Sequence, residues 1–154
     1  MDICSIILSA GKGNRMLSDI PKPLHTISGK SMLKWVIDAN KAAEIKRSIV
    51  VMPKNNESIK NITSDLETVI QPIALGTGDA VKKAIHLLND FSGIILVCFA
   101  DTPFISTKSL QKIIKAFKIN TKLVISGFKK QEQNNYGKIL KKNLRDQLLG
   151  RSFD

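Results

Sequence analysis

The stretch LSAGKGNRMLSDIPKPLH, residues 8–25, follows directly on an apolar run that predicts a first strand. Its two early glycines, Gly11 and Gly13, allow backbone conformations that other residues avoid. Arg15 can hold a phosphate with both arms of its guanidinium, and Lys12 adds a point charge. This composition favours a phosphate-binding turn, because free backbone N–H groups and cations can surround one anion. The alternative is an ordinary glycine turn with solvated cations.

At the end of this stretch, Lys22 stands between Pro21 and Pro23. The two proline rings fix the backbone on either side, so the ammonium group loses less conformational entropy when it is aimed at a target. A lysine aimed at the phosphorus under attack would offset the charge that develops on its oxygens, which predicts a catalytic role. The alternative is a stiff loop whose lysine faces water. His25 is interpreted as a packing or hydrogen-bonding residue, since attack by a phosphate oxygen needs no general base.

Length and composition favour a single globular domain. The chain has 154 residues, of which 43% are hydrophobic, enough for one core. It lacks an apolar stretch of the roughly 20 residues that a membrane span needs, and we expect a cytoplasmic protein with no membrane partner. The net charge is +11, but the basic residues are mostly scattered lysines and only 5% of residues are aromatic, which disfavours nucleic acid as a partner. Cys4 and Cys98 lie in separate apolar runs and are expected to be buried thiols.

Apolar runs of strand length alternate with helical patterns along the chain. Strands are predicted at residues 3–8, 48–51, 68–70, 94–99 and 123–127. Amphipathic helices are predicted over residues 32–43, 80–88 and 110–117, the last with Ser106 or Thr107 as its N-cap. This alternation predicts an α/β fold, with a mostly parallel sheet and helices on both faces.

In such a sheet, ligands bind beyond the carboxyl ends of the strands. Asp101 follows the apolar run 94–99, and Thr102 and Pro103 then turn the chain away. A lone carboxylate at this edge suits Mg²⁺, which fills its other positions with phosphate oxygens and water. The alternative role for Asp101 is a helix or turn cap.

The segment QPIALGTGDA, residues 71–80, follows another predicted strand. Gln71 has both a donor and an acceptor, which suit recognition of a base edge. Gly76 and Thr77 open an amphipathic helix whose positive N-terminus allows close backbone approach to a ligand. A plain connection between strand and helix is the alternative. The turn NNYGK at residues 134–138 is also compatible with a simple hairpin.

Two better-known glycine motifs do not fit. Met16 replaces the third glycine of the dinucleotide-binding pattern G-x-G-x-x-G, which disfavours a nicotinamide enzyme. The GKS at residues 29–31 is not a phosphate-binding P-loop, because Leu24 stands where the first glycine of that motif belongs and no strand precedes it closely.

Five segments stand in a specific order along the chain: LSAGKGNRM (8–16), PKPLHTISGKSML (21–33), LGTGDA (75–80), ADTPFIS (100–106) and NYGKI (135–139). Their order and approximate spacing resemble the uridyltransferase domain of the bacterial N-acetylglucosamine-1-phosphate uridyltransferases. The resemblance implies the Rossmann-like fold of the nucleotide-diphospho-sugar transferases, within the superfamily that includes MobA-like NTP transferases. Ser9 and Lys138 depart from it, since alanine and arginine are usual there.

The resemblance also implies an activity and its residues. The reaction joins UTP and N-acetylglucosamine 1-phosphate into UDP-N-acetylglucosamine, a peptidoglycan precursor, and pyrophosphate. The implied roles are catalysis by Arg15 on the leaving pyrophosphate and by Lys22 on the α-phosphate; nucleotide binding by Leu8, Ala10, Gly11, Lys12, Gly13, Gln71, Gly76 and Thr77; sugar binding by the Gly137 backbone; and Mg²⁺ binding by Asp101.

The resemblance covers residues 1–140 and not 141–154, which we expect to be a frayed tail or a short closing helix. In the family the chain continues and supplies further sugar ligands and a second metal ligand. We therefore expect exposed apolar surface or an unpaired strand edge, and a homo-oligomer formed through it. Two alternatives remain: another sugar-phosphate or MobA-like guanylyl transfer, and a nucleotide-binding or interaction module without catalysis.

Overall fold

The computed structural model describes residues 1–11, 13, 16–128, 138–140 and 149–151. The chain divides into two units, Met1–Thr121 and Lys122–Asp154. In chain order the elements are β1 (Asp2–Leu8), a 3₁₀ turn (Lys22–Leu24), β2 (Thr26–Ile27), β3 (Lys30–Ser31), α1 (Met32–Ala42), β4 (Arg47–Pro53), α2 (Glu57–Ile62), β5 (Glu67–Gln71), α3 (Thr77–Ile85), a second 3₁₀ turn (His86–Leu88), β6 (Gly93–Phe99), α4 (Thr107–Ala116), β7 (Lys138–Leu140) and β8 (Leu149–Arg151).

The sheet of the first unit has the strand order β5-β4-β1-β6, and every neighbouring pair is parallel. The chain builds outward from β1 through β4 to β5 and then crosses back to place β6 on the other side of β1. The strand order therefore reverses at β1, where α/β sheets bind their ligands. The predicted α/β fold with a parallel sheet is confirmed.

Helices cover both faces of this sheet, as predicted. On one face, buried residues of α1, α2 and α4, including Leu33, Ile59 and Leu110, pack around Ile7 of β1. On the other face, α3 packs against β1 and β4. Alternate residues of one strand serve the two faces, because successive side chains of a strand point in opposite directions.

Polar side chains cap the N-termini of three of the helices. Ser31, Asn56 and Ser106 each accept a hydrogen bond from a backbone N–H in the first turn of the helix that follows. Such caps satisfy donors that the helix itself leaves free. The cap predicted at Ser106 is confirmed, which leaves Asp101 without that role.

The face of β6 on the side of α3 is exposed. Ile94, Leu96 and Cys98 are buried, whereas Ile95, Val97 and Phe99 are 41%, 40% and 45% exposed. This is the exposed apolar surface that the sequence predicted. The homo-oligomer expected from it stays a prediction.

Two sequence-based expectations are wrong in the second unit. Residues 123–127 form no strand, and Leu123 and Ile125 are 62% and 48% exposed. An apolar run becomes a strand only if a partner strand pairs with it, and none of the described residues does so here. Within the expected tail, Leu149–Arg151 instead form β8, which pairs antiparallel with β7. Over the described residues, no helix has the length and apolar character needed to cross a membrane.

Candidate functional site

A cavity of about 710 Å³ opens at the carboxyl ends of β1, β5 and β6. Nine of the residues that sequence reasoning assigned to a site line it: Leu8, Ala10, Gly11, Gly13, Lys22, Gln71, Gly76, Thr77 and Asp101. They come from four separate segments of the chain, and the parallel sheet brings these segments to one edge. The roles predicted for these residues remain predictions.

The remaining three predicted site residues, Lys12, Arg15 and Gly137, lie outside the described residues.

Gly13 packs directly against the proline-flanked Lys22. Gly13 has a φ of +62°, and a Cβ built on it would lie 2.7 Å from the Cβ of Lys22. Both facts require glycine, since other residues avoid this φ and real Cβ atoms do not approach so closely. The backbone N–H of Met16 donates to the Gly13 carbonyl at 2.9 Å. Gly13 and Lys22 therefore lie side by side in the wall of the cavity.

Lys22 forms an ion pair with Asp101 across the cavity. The distance between Lys22 Nζ and Asp101 Oδ2 is 2.7 Å, and the two side chains are 38% and 37% exposed. Lys22 begins the first 3₁₀ turn, with Pro21 before it. Asp101 follows β6, whose end is tied to β1 by the Ala100 N–H to Leu8 carbonyl hydrogen bond of 3.0 Å. Two residues 79 positions apart are thus joined at the edge of the sheet.

At the start of α3, Gln71 is held by a small hydrogen-bonded cluster. Its Nε2 donates to the Gly76 carbonyl at 3.1 Å and to Asp79 Oδ2 at 2.8 Å. Gln71 is only 4% exposed, and it is the last residue of β5. Gly76 is the N-cap of α3 with a φ of 102°, and it offers no capping side chain. The first N–H groups of the helix are therefore available to a ligand.

Sequence reasoning missed several residues around this cavity. Asp79 holds Gln71, and its place eight residues away gives no local signal of the contact. Phe99 and Pro23 line the cavity as well. The position of Phe99 at the end of an apolar strand was a usable signal, because the end of β6 was already expected to border the cleft.

The other predicted features of this region can be placed too. Residues 28 and 29 have positive φ angles and link β2 to β3, so the GKS sequence is part of a hairpin and not a P-loop. The Nε2 atom of His25 lies 3.1 Å from the carbonyl oxygen of Ile20, which confirms His25 as a hydrogen-bonding residue. Cys4 and Cys98 are free and buried. Burial raises the pKa of both thiols, which keeps them protonated and unreactive.

The donor set suits a magnesium ion that is held mainly by a ligand. Asp101 is a single carboxylate in the cavity, and the described residues contain no group of three His, Cys, Asp or Glu side chains that could enclose a metal. Mg²⁺ uses one or two protein carboxylates and takes its other ligands from phosphates and water. The residues present therefore fit Mg²⁺ bound together with a phosphate ligand.

Curated proteins are similar in sequence to this chain over most of its length. The bifunctional protein GlmU of Ruegeria sp. (strain TM1040) is 37% identical over 144 residues, which are 91% of this chain and 32% of that protein. The bifunctional protein GlmU of Buchnera aphidicola subsp. Schizaphis graminum is also 37% identical over 144 residues, 92% of this chain and 31% of that protein. The chain spans about a third of the length of these curated relatives.

Solved structures share the fold. Rv0371c from Mycobacterium tuberculosis H37Rv aligns with a TM-score of 0.65 at 19% identity, over 75% of this chain and 60% of that one. A nucleotidyl transferase from Methanothermobacter aligns with a TM-score of 0.64 at 20% identity, over 74% of this chain and 57% of that one. Residues 5–152 match the family described as MobA-like NTP transferase domain. The chain therefore belongs to the family of MobA-like NTP transferase domains.

Proposed function

We propose that this domain transfers a uridylyl group from UTP to N-acetylglucosamine 1-phosphate. A phosphate oxygen of the sugar phosphate attacks the α-phosphorus of UTP, the bond from that phosphorus to the bridging oxygen breaks, and pyrophosphate leaves with the electron pair. The carrying observation is that Lys22, Asp101 and Gln71 line one cavity of about 710 Å³. A cavity of this size accommodates a nucleotide.

At the phosphate end, Lys22 is the residue of this chain that acts on the reacting group. Its ammonium would leave Asp101 and lie against the α-phosphate, where it offsets the negative charge that grows during attack. The proline on either side limits the backbone freedom of Lys22, so little entropy is lost when it is positioned. Catalysis of this kind rests on alignment and charge neutralisation, and it needs no proton transfer.

At the base end, Gln71 and the N-terminus of α3 would hold uracil. Gln71 is buried, and its amide is fixed by two hydrogen bonds, so it presents one orientation to a ligand. The backbone at Gly76 and Thr77 lines the same cavity. The resemblance of the sequence motifs to those of the uridyltransferase domains supports uridine as the nucleoside.

Asp101 is the residue that would bind Mg²⁺ together with the triphosphate. The ion supplies charge neutralisation on the phosphate oxygens. The Asp101 carboxylate is partly exposed, and it forms an ion pair with Lys22. Asp101 would hold the ion and Lys22 would contact the phosphate, so the two charged side chains would serve the same ligand.

The test is pyrophosphate release by the purified chain. UTP and N-acetylglucosamine 1-phosphate are supplied with Mg²⁺, and parallel reactions replace UTP with GTP or CTP. We expect release with UTP above that with either other nucleotide, and none from UTP alone. Release that is fastest with GTP would replace the uridylyl assignment with a guanylyl transfer.

Calorimetric titration with the same three nucleotides distinguishes an enzyme from a binding module. UTP that binds without any pyrophosphate release at high protein concentration would overturn the transfer reaction and favour a nucleotide-binding module. Absence of binding to all three nucleotides would overturn the proposed function as a whole.

A further inference from the structure

The amide of Gln71 has one possible orientation. Its neighbours are the Gly76 carbonyl oxygen at 3.1 Å and Asp79 Oδ2 at 2.8 Å, and both are acceptors. A glutamine side chain donates only through its NH₂ group, so this group must face both neighbours. The carbonyl oxygen of the amide, Oε1, is then left for another partner. We infer that Asp79 is a positioning residue that sets nucleobase specificity through Gln71.

Asp79 is itself well placed for this role. It lies in the first turn of α3, where a negative charge is favourable beside the positive helix end. Lys83, one turn later, has its Nζ 4.0 Å from the other carboxylate oxygen of Asp79. The Asp79 side chain is 23% exposed. The charge of Asp79 is therefore favoured by the helix start and by the nearby Lys83, and its carboxylate accepts the hydrogen bond that positions Gln71.

Oε1 of Gln71 accepts no hydrogen bond from a described residue. Both hydrogen bonds of the Gln71 side chain to described residues run through Nε2. Gln71 lines the cavity although it is 4% exposed. A ligand that covers Oε1 removes water from it, so the ligand must donate to this oxygen or leave it desolvated and unpaired, which costs free energy.

This inference rests on the proposed function, and it identifies which edge of a base the site accepts. Uracil carries a hydrogen on N3, which can donate to Oε1. Cytosine has a lone pair on N3, which would face the lone pairs of Oε1. When the ribose and phosphates are bound, the base cannot slide to bring another edge into place. A site built around one polar partner rejects ligands that leave that partner unpaired.

The experiment measures dissociation constants of UTP, CTP and 3-methyl-UTP by calorimetry, on the full chain with Mg²⁺. Two variants are compared: Asp79→Leu, which removes the acceptor at similar size, and Asp79→Asn, which keeps an oxygen acceptor. Both variants lose the negative charge at the helix start, so the contrast between them isolates the hydrogen bond to Gln71.

We expect the wild type to bind 3-methyl-UTP at least about tenfold more weakly than UTP, because the methyl group replaces the donor. The ratio of UTP to CTP affinity should fall by about tenfold in Asp79→Leu and by less than about threefold in Asp79→Asn. A purely structural role for Asp79 would weaken UTP and CTP equally and would leave the ratio unchanged.

Several outcomes would overturn the inference. If 3-methyl-UTP binds the wild type as tightly as UTP, Oε1 does not accept from N3, and this result needs no variant to fold. If UTP is preferred and Asp79→Leu keeps that preference while circular dichroism shows it folded, Asp79 does not set specificity, and the proposed function stands. If the wild type binds none of the three nucleotides, the proposed function fails and this inference fails with it.

Discussion

Two ion pairs of the first unit have the same local geometry and different surroundings. Lys22 and Asp101 are 2.7 Å apart and are 38% and 37% exposed, whereas Lys30 and Asp38 are also 2.7 Å apart and are 36% and 34% exposed. Distance and exposure alone do not distinguish them. The two pairs differ in the additional contacts that their side chains make with other residues.

The pair of Lys30 and Asp38 is complete. Asp38 also binds Lys34 through its other oxygen at 2.9 Å, and Lys30 lies 4.2 Å from the ring centroid of Trp35. All of these residues lie within nine positions of one another, on or beside α1. This pair therefore holds together a local piece of structure.

The pair of Lys22 and Asp101 lines the cavity and joins the end of β6 to the proline-flanked turn. Asp101 Oδ1 makes no hydrogen bond to a described residue, and neither side chain has a second charged partner among them. A surface ion pair of this kind adds little stability, so its parts can be exchanged for a ligand at low cost. We call the pair of Lys22 and Asp101 open, because neither side chain has a second charged partner among the described residues, and the pair of Lys30 and Asp38 closed, because both have further partners. The comparison indicates that an open ion pair in a cavity is a candidate for function and that a closed one on the surface is structural.

The largest effect that would test this comparison is on turnover. Lys22→Ala should lower the rate of pyrophosphate release by about 10²–10³-fold, because it removes the positive charge that offsets charge on the α-phosphate. Lys30→Ala is the matched control and should leave the rate within about twofold of the wild type. Rates are measured at saturating UTP. Equal losses in the two variants would show that position in the cavity does not matter.

The second test concerns Mg²⁺. Asp101→Asn should lower the affinity for UTP in the presence of Mg²⁺ by about ten- to a hundredfold, because a charge-assisted contact of roughly 1.5–3 kcal/mol is lost. Asp38→Asn should leave that affinity unchanged. Calorimetric titrations with and without Mg²⁺ measure both. If Asp101→Asn retains the full Mg²⁺-dependent gain in affinity, Asp101 does not bind the metal.

The third test measures stability, and here we expect the larger effect at Lys30 and the smaller one at Lys22. Lys30→Ala should lower the free energy of unfolding by about 1 kcal/mol, since it removes both an ion pair and a cation–π contact with Trp35. Lys22→Ala should lower it by less than about 0.5 kcal/mol, because only one exposed pair is lost. Urea denaturation of the two variants and the wild type gives these values. A larger loss for Lys22→Ala would contradict the distinction between open and closed pairs.

The sequence predicted those parts of the molecule that depend on local patterns. The apolar runs became β1, β4, β5 and β6, and the helical stripes became α1, α3 and α4. The rule that ligands bind at the carboxyl ends of parallel strands then located the cavity. The helix α2 was missed because six residues, Glu57–Ile62, are too few to show a helical period.

Contacts between remote residues could not be predicted. The sequence shows that Lys22 and Asp101 border the same edge, but not that they meet, because 79 positions separate them. The strand predicted at residues 123–127 is wrong for the same reason, since pairing depends on a partner elsewhere in the chain. The contact of Asp79 with Gln71 likewise gives no signal in the sequence, because it depends on how the end of β5 meets the start of α3.

The smallest expected effect is a pH dependence of the free energy of unfolding, which arises from the closed pair of Lys30 and Asp38. Burial alone would raise the pKa of Asp38, but the hydrogen bonds and charges of Lys30 and Lys34 outweigh burial and lower this pKa below its ordinary value. In acid, the folded state then binds fewer protons than the unfolded state. The stabilisation by Asp38 is therefore complete above its ordinary pKa of about 3.9 and is lost progressively as the pH falls below that value through the lower pKa of the folded state.

Because Asp38 is partly exposed, the loss should be a few tenths of a kcal/mol. Asp38→Asn should accordingly unfold with a shallower decline in stability between about pH 5 and pH 3 than the wild type. Glu67 remains to supply part of the decline, since its hydrogen bonds with Arg47 lower the pKa of this carboxyl as well. Urea midpoints across this range measure the difference, and high salt should reduce it by screening an exposed pair. Superimposable curves for Asp38→Asn and the wild type would mean that the contacts of Lys30 and Lys34 do not stabilise the charged form of Asp38.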